Sequence, residues 1–190
     1  MRNARGVLLL ALSLLLTAPT AGWATTVKSF STRDMVGEAA VVIRGIVESQ
    51  KSLWARNKTL IVTESRIRVT ANIVGRAKTR VITVSQLGGT VDGVSMQVSG
   101  TAPIKAGHDL LLFLRSDGKK HYLVGMAQGH YRVVTRKGAL IVTRSLGGLN
   151  LLGKIKRVGH APPERSDSEL PYTKFVERVR EYAKAMKRVK

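Results

Sequence analysis

The stretch "TLIVTESRIRVTANIV", residues 59–74, decides the fold. Ile61, Thr63, Ile67, Val69 and Ala71 fall on one parity, and Glu64, Arg66, Arg68 and Thr70 fall on the other. Side chains alternate across a strand with a period of two, so the first set faces a core and the second faces water or a ligand. The β-branched content over the same residues supports the strand reading.

Working outward, similar segments recur at "AAVVIRGIVES" (39–49), "RVITVSQL" (80–87), "GVSMQVS" (93–99), "DLLLFLR" (109–115), "HYLVGM" (121–126), "HYRVV" (130–134) and "ALIVTR" (139–144). In the second of these, Arg80, Ile82, Val84 and Gln86 share one face. Turn residues punctuate the series at Gly75, Gly88-Gly89, Gly107, Asp117-Gly118, Gly129 and Lys137-Gly138. Regularly spaced short strands without interleaved helices predict a mainly β protein, an antiparallel barrel or sandwich. Ser31 or Thr32 can cap one helical turn ahead of the first strand. Beyond the strands, "GHAPPERSDSELP" (159–171) reads as a polar linker. Tyr172, Phe175, Val176, Val179, Tyr182, Ala183 and Met186 then recur at helical spacing, predicting an amphipathic helix over 172–190. Its apolar stripe would dock on the preceding domain, or its basic faces would rest on an anionic membrane.

At the other end, Arg2 and Arg5 precede the apolar run Val7–Leu16, and Gly22-Trp23-Ala24 supplies small residues where a peptidase reads. This layout predicts a signal peptide over 1–24 cleaved after Ala24, hence a periplasmic or secreted protein of a bacterium. The apolar run is too short for a bilayer span, which takes about 20 residues. No later segment is longer, so no transmembrane segment is expected. The domain itself is then expected over 25–158.

Composition narrows the chemistry. There is no cysteine, which excludes disulfides and thiolate metal sites. The formal net charge is +20, to which the leader contributes only Arg2 and Arg5. Such a field draws in anionic polymers or acidic proteins. Arg66, Arg68, Arg76, Lys78 and Arg80 cluster around one strand and the turn after it, and they are the expected anion-binding residues. Nucleic-acid binding is disfavoured, because aromatics make up only 5% of the chain and single strands need stacking platforms.

Catalytic and cofactor signatures are weak. "GGTVDG" (88–93) joins two strands, whereas a dinucleotide loop opens a helix. "GLNLLGKI" (148–155) has Gly148, Gly153 and Lys154 at phosphate-loop spacing but ends in Ile155 where a hydroxyl must hold magnesium. His108, His121, His130 and His160 show no paired metal-ligand spacing, although His121 and His130 could meet across a hairpin. No nucleophile elbow occurs, so no catalytic residue, metal or cofactor is expected. The glycines of "SQLGGTVDGVSMQVSG" (85–100) are read as a tight turn, or as one lip of a binding site. In the second case Trp54, Gly89, Gln128 and Tyr131 are the expected loop contacts.

Taken in order, "GEAAVVIRGIVES", "TLIVTESRIRVTANIVG", "VITVSQLGG", "AGHDLLLFL" and "VGMAQGHYRV" resemble an uncharacterised family of exported bacterial β-rich proteins. More distantly, the order of elements is similar to the netrin-like barrel of the tissue inhibitors of metalloproteinases, which implies an OB-type barrel with a packed helix. Those inhibitors act through an N-terminal cysteine, and this chain has none, so the resemblance carries over the barrel and not the inhibitory residues. Three functions remain: a non-catalytic binding module with a basic face, a peptidase-associated inhibitor or chaperone acting through barrel-end loops, and a small hydrolase.

Overall fold

The computed structural model describes residues 26–55, 58–146, 150–152 and 169–187. The expected leader, His160, the body of the linker, and most of the 148–155 near-match to a phosphate loop lie outside them. The chain is mainly β with a C-terminal helix, as the alternation predicts. In order, the elements are β1 (Thr26–Lys28), α1 (Thr32–Glu38), β2 (Val41–Trp54), β3 (Ile61–Val74), β4 (Val81–Leu87), β5 (Gly89–Val91), β6 (Val94–Met96), β7 (Asp109–Ser116), β8 (His121–Leu123), a 3-10 turn (Met126–Gly129), β9 (His130–Arg136), β10 (Ala139–Thr143), β11 (Asn150–Leu152), β12 (Leu170–Pro171) and α2 (Tyr172–Lys187).

Eight strands form one sheet in the order β12-β10-β9-β7-β2-β3-β4-β8. β8 also pairs with β7, so β7, β2, β3, β4 and β8 complete a hydrogen-bonded circuit. The closing contact is the single parallel pair Val84↔His121. Together with the parallel pairing of β1 and β11, it makes the strand arrangement mixed, not antiparallel throughout. β7 makes this possible by sharing one edge: Leu114–Ser116 take β8, whereas Leu110–Leu112 take β9.

Alternation along the strands produces two cores. Ile43, Val47, Ile67, Ile82, Val84, Leu110, Leu112 and Leu114 fill the inside of the circuit, where Ala102 and Ile104 enter from the segment before β7. The opposite parity, Val42, Leu111, Phe113, Tyr131, Val133 and Val142, meets Met35 and Val36 of α1 and Phe175, Val176 and Val179 of α2. The terminal helix therefore docks on the sheet. Phe113, Tyr131 and Phe175 form its aromatic centre, with ring centroids 4.7–6.3 Å apart. Arg44 adds a polar tie, with its guanidinium on Asp109 at 2.6 Å and 4.9 Å from the Tyr172 ring centroid. The early helix starts where the sequence places it: Ser31 and Asp34 cap one another's backbone N–H groups, and Met35 behind them is fully buried.

β2 and β3 are longer than the circuit needs. β7 covers β2 only from Val41 to Ile46, and a register shift between Val47 and Ser49 re-phases the strand. Beyond it, β2, β3 and β4 continue as a three-stranded apron whose two faces carry the candidate sites.

Candidate functional site

The outer face of the apron holds the basic cluster. Register sets Arg66 between Ser49 and Thr83, and Arg68 beside Val81, while the Arg80 carbonyl accepts from the Val69 N–H at 2.8 Å. Arg66 and Arg68 thereby share one face of β3, and both, like Arg80 opposite Val69, are exposed. Arg80 precedes β4 and does not share the buried face of Ile82 and Val84. The turn after β3 doubles back along it because Ala77 is half of an anchor: its N–H donates to Asn72 Oδ1 at 2.9 Å, and its methyl joins the inner core. Arg76 and Lys78 flank that anchor and point into water.

Acids punctuate the patch. Arg68 pairs with Glu48 at 3.2 Å across an exposed surface, where such a pair contributes little stability. Among the described residues, Arg66, Arg76, Lys78 and Arg80 form no ion pair. On the next row toward the strand ends, Glu64 is bound by Lys120 from the β7–β8 turn. Asp117 holds that turn, accepting from the Lys119 and Lys120 N–H groups at 2.8 and 2.7 Å and from the Tyr122 hydroxyl at 2.8 Å. These bonds hold its carboxyl well below the usual range, at about 2. Lys120 and Tyr122, which is 40% exposed, thus border the basic face. The sequence signal for Tyr122 is its alternation out of phase with His121 and Leu123.

The inner face of the apron is different in kind. Gln50, Ser52, Thr63 and Gln86 continue the line of the barrel interior, but with amides and hydroxyls in place of aliphatic groups. They line a cleft of about 790 Å³ closed by Gly88–Thr90, Ser95–Ser99, Thr101 and Ile104, and among the described residues no charged side chain lines it. Gln50 Nε2 donates to Ser65 Oγ at 2.9 Å, and Gln86 Nε2 donates to the Ala102 carbonyl at 3.1 Å. Thr63 gives its proton to the Gly88 carbonyl at 2.7 Å, so across their 2.9 Å contact Ser52 is the donor to Thr63. The Ser52 oxygen therefore keeps its lone pairs for a ligand.

Gly88 and Gly89 have φ of +99° and +132°, so they make the turn, and Gly89 also lies directly on the Ser52–Thr63 hydroxyl pair. A Cβ there would overlap both oxygens. Trp54 sits at the rim, half-buried, with Nε1 3.3 Å from Asp92 Oδ2 on the β5–β6 turn.

The other two expected loop contacts are corrected. Tyr131 is 3% exposed, stacked in the aromatic centre with its hydroxyl on Arg144 Nη1 at 3.1 Å. Gln128 is 1% exposed and holds the N-terminal segment, accepting from Phe30 N–H at 2.8 Å and donating to the Lys28 carbonyl at 3.0 Å. Both side chains are buried, Tyr131 by the same alternation that buries Val133 and Gln128 by the 3-10 turn packed on the N-terminal segment.

Three histidines, His108, His121 and His130, lie among the described residues. Burial first, then His108 and Arg132, push His130 down to about 4. Its electrostatic neighbour is thus His108, not the His121 that a hairpin would have placed beside it. Among the described residues, no three His, Asp or Glu side chains gather as a metal site. No described helix is long and apolar enough to cross a membrane. Compared with known proteins, the sequence matches no family model and no curated protein.

Proposed function

We propose that this is an exported, non-catalytic binding module whose basic apron face takes an anionic polymer or an acidic protein. The observation that carries the reading is that Arg66 and Arg68 share one exposed face of β3, with exposed Arg76, Lys78 and Arg80 on the adjoining turn. Four of these five cations are not neutralised by an acid among the described residues, so their field is available to a partner. The strand circuit supports an OB-type barrel: in order around the ring the strands run first, second, third, fifth, fourth, with the third and fifth parallel. Barrels of that type use the outer face of their second and third strands, here β3 and β4, for extended polyanionic or sugar ligands. Membership in the exported β-rich family and the netrin-like relation are proposed on the same order of elements.

Retention on an immobilised sulfated polysaccharide tests this. Arg66→Glu with Arg68→Glu reverses two charges and removes four units of charge from the face. The double variant should elute at markedly lower salt with an unchanged Tm. Elution at the wild-type salt refutes the assigned face.

A second reading, in which barrel-end loops engage a protein as an inhibitor or chaperone would, is favoured by the uncharged cleft beneath Gly88–Thr90.

A further inference from the structure

From Ser49 to Trp54, β2 has a strand partner on one side only among the described residues. β3 runs along one edge, while β7 ends its pairing at Ile46 and the loop before it reaches no further than Val47, through the His108 carbonyl and the Gly107 N–H. Which groups face the open side follows from the ladder. The Ile61 N–H and carbonyl both turn away from β2, to Met96 Sδ and to the Gly88 N–H. Trp54↔Ile61 is therefore a non-hydrogen-bonded pair, and the same phase makes Ser52↔Thr63 and Gln50↔Ser65 non-hydrogen-bonded pairs too. The N–H and carbonyl groups of Gln50, Ser52 and Trp54 consequently point outward. Among the described residues nothing pairs with them. Six donors and acceptors repeating every second residue are the template of one more strand.

We infer that the open edge of β2 and the cleft beside it accept an extended polypeptide segment from a different protein, uncharged where it faces the cleft and acidic outside it. The two-residue repeat matches a peptide backbone, and an added strand would send alternate side chains toward the face that carries Gln50 and Ser52. That face offers the Ser52 oxygen as an acceptor, and the cleft is lined by hydroxyls, amides and glycine backbone together with Met96, Val98 and Ile104, which suits small uncharged side chains. A second copy of the chain is disfavoured by charge: edge-to-edge pairing would press together two chains of net charge +20, with an exposed Lys51 on each edge. The same charge favours an acidic partner. The inference is independent of the basic face, which lies on the opposite side of the apron.

The test uses the full mature chain and a displayed library of random peptides about ten residues long, enough to span an edge of this length. Selected peptides are then synthesised, with backbone N-methyl groups placed at odd or at even positions. Binding is expected to slow amide exchange at Gln50, Ser52 and Trp54 by about tenfold or more. N-methylation in one phase should weaken binding by a similar factor, and in the other phase leave it unchanged. Gln50→Pro, which deletes one outward N–H, should bind more weakly; if that variant does not fold, the N-methyl series still decides. Failure to select peptides overturns the inference, as does binding that leaves the three amides unprotected or is indifferent to N-methyl phase. Protection of the same amides by self-association in the absence of peptide would assign the edge to a second copy instead.

Discussion

Lowering the pH should destabilise this protein through His130. Its ring is 1% exposed at the start of β9, opposite Leu112, and neither ring nitrogen has a hydrogen-bond partner among the described residues. Burial, with the positive neighbours His108 and Arg132, depresses its proton affinity from 6.5 to about 4. The unfolded chain therefore takes up this proton near pH 6.5 and the folded chain only near pH 4. Between those values the unfolded state binds more protons, so stability is full above pH 6.5 and falls as the pH falls. A gap of this size corresponds to about 3 kcal/mol by pH 4. His108 and His121 are lowered by burial as well and act in the same direction. Replacing His130 with Leu keeps an apolar body of similar size and removes the titration. Urea unfolding of wild type and His130→Leu at intervals from pH 7.5 to about pH 4 isolates the contribution, since the remaining groups titrate in both. The difference between the two stabilities should narrow, or reverse, by about 3 kcal/mol on acidification. Parallel pH profiles would refute the reasoning and mean that His130 takes up its proton as readily in the fold as in the unfolded chain.

Three further outcomes follow from packing. Gly89→Ala places a methyl group against the Ser52 and Thr63 hydroxyls at a φ that side chains avoid, and should lower stability by about 2 kcal/mol or more, read as a drop in Tm. Phe175→Ala removes the ring of α2 that touches Phe113 and Tyr131, and should cost about 3–5 kcal/mol while making residues 172–187 a site of early proteolysis. Gln128→Ala strips the Phe30 N–H and the Lys28 carbonyl of their partner, and should cost about 1–3 kcal/mol and speed amide exchange at Phe30.

The strands and the terminal helix were legible because each has one buried face, and a single buried face leaves a period in the sequence. Ile61, Ile67 and Ile73 mark β3 and Phe175, Val176 and Val179 mark α2 without any tertiary information. The parallel contact between β4 and β8 was not legible. It depends on where β7 divides its edge between β8 and β9, a property of three-dimensional stagger that leaves no local pattern. Tyr131 and Gln128 were misjudged for a related reason. Position near a hairpin suggested a loop, whereas both lie on the layer between sheet and helices, where a second core exists only once α1 and α2 have packed.

The two candidate sites differ in legibility on physical grounds. Exposed cations such as Arg66 and Arg68 cannot be buried cheaply, so a run of them at alternate positions announces an outer face from sequence alone. The cleft gives the opposite impression. Gln50 and Ser52 look like surface residues because their parity is opposite to that of inward-facing Val41, Ile43 and Val47, and only the register shift after Val47 turns them to the inner face. Once that shift is known, the polar residues become the informative ones: Gln50, Ser52, Thr63 and Gln86 occupy inward positions that an ordinary barrel would fill with aliphatic side chains. Inward polarity there removes the drive to close the barrel end, and β7 stops short of the same stretch of β2. A β2 edge that no described strand covers and a largely uncharged cleft thus arise together from one departure in β2.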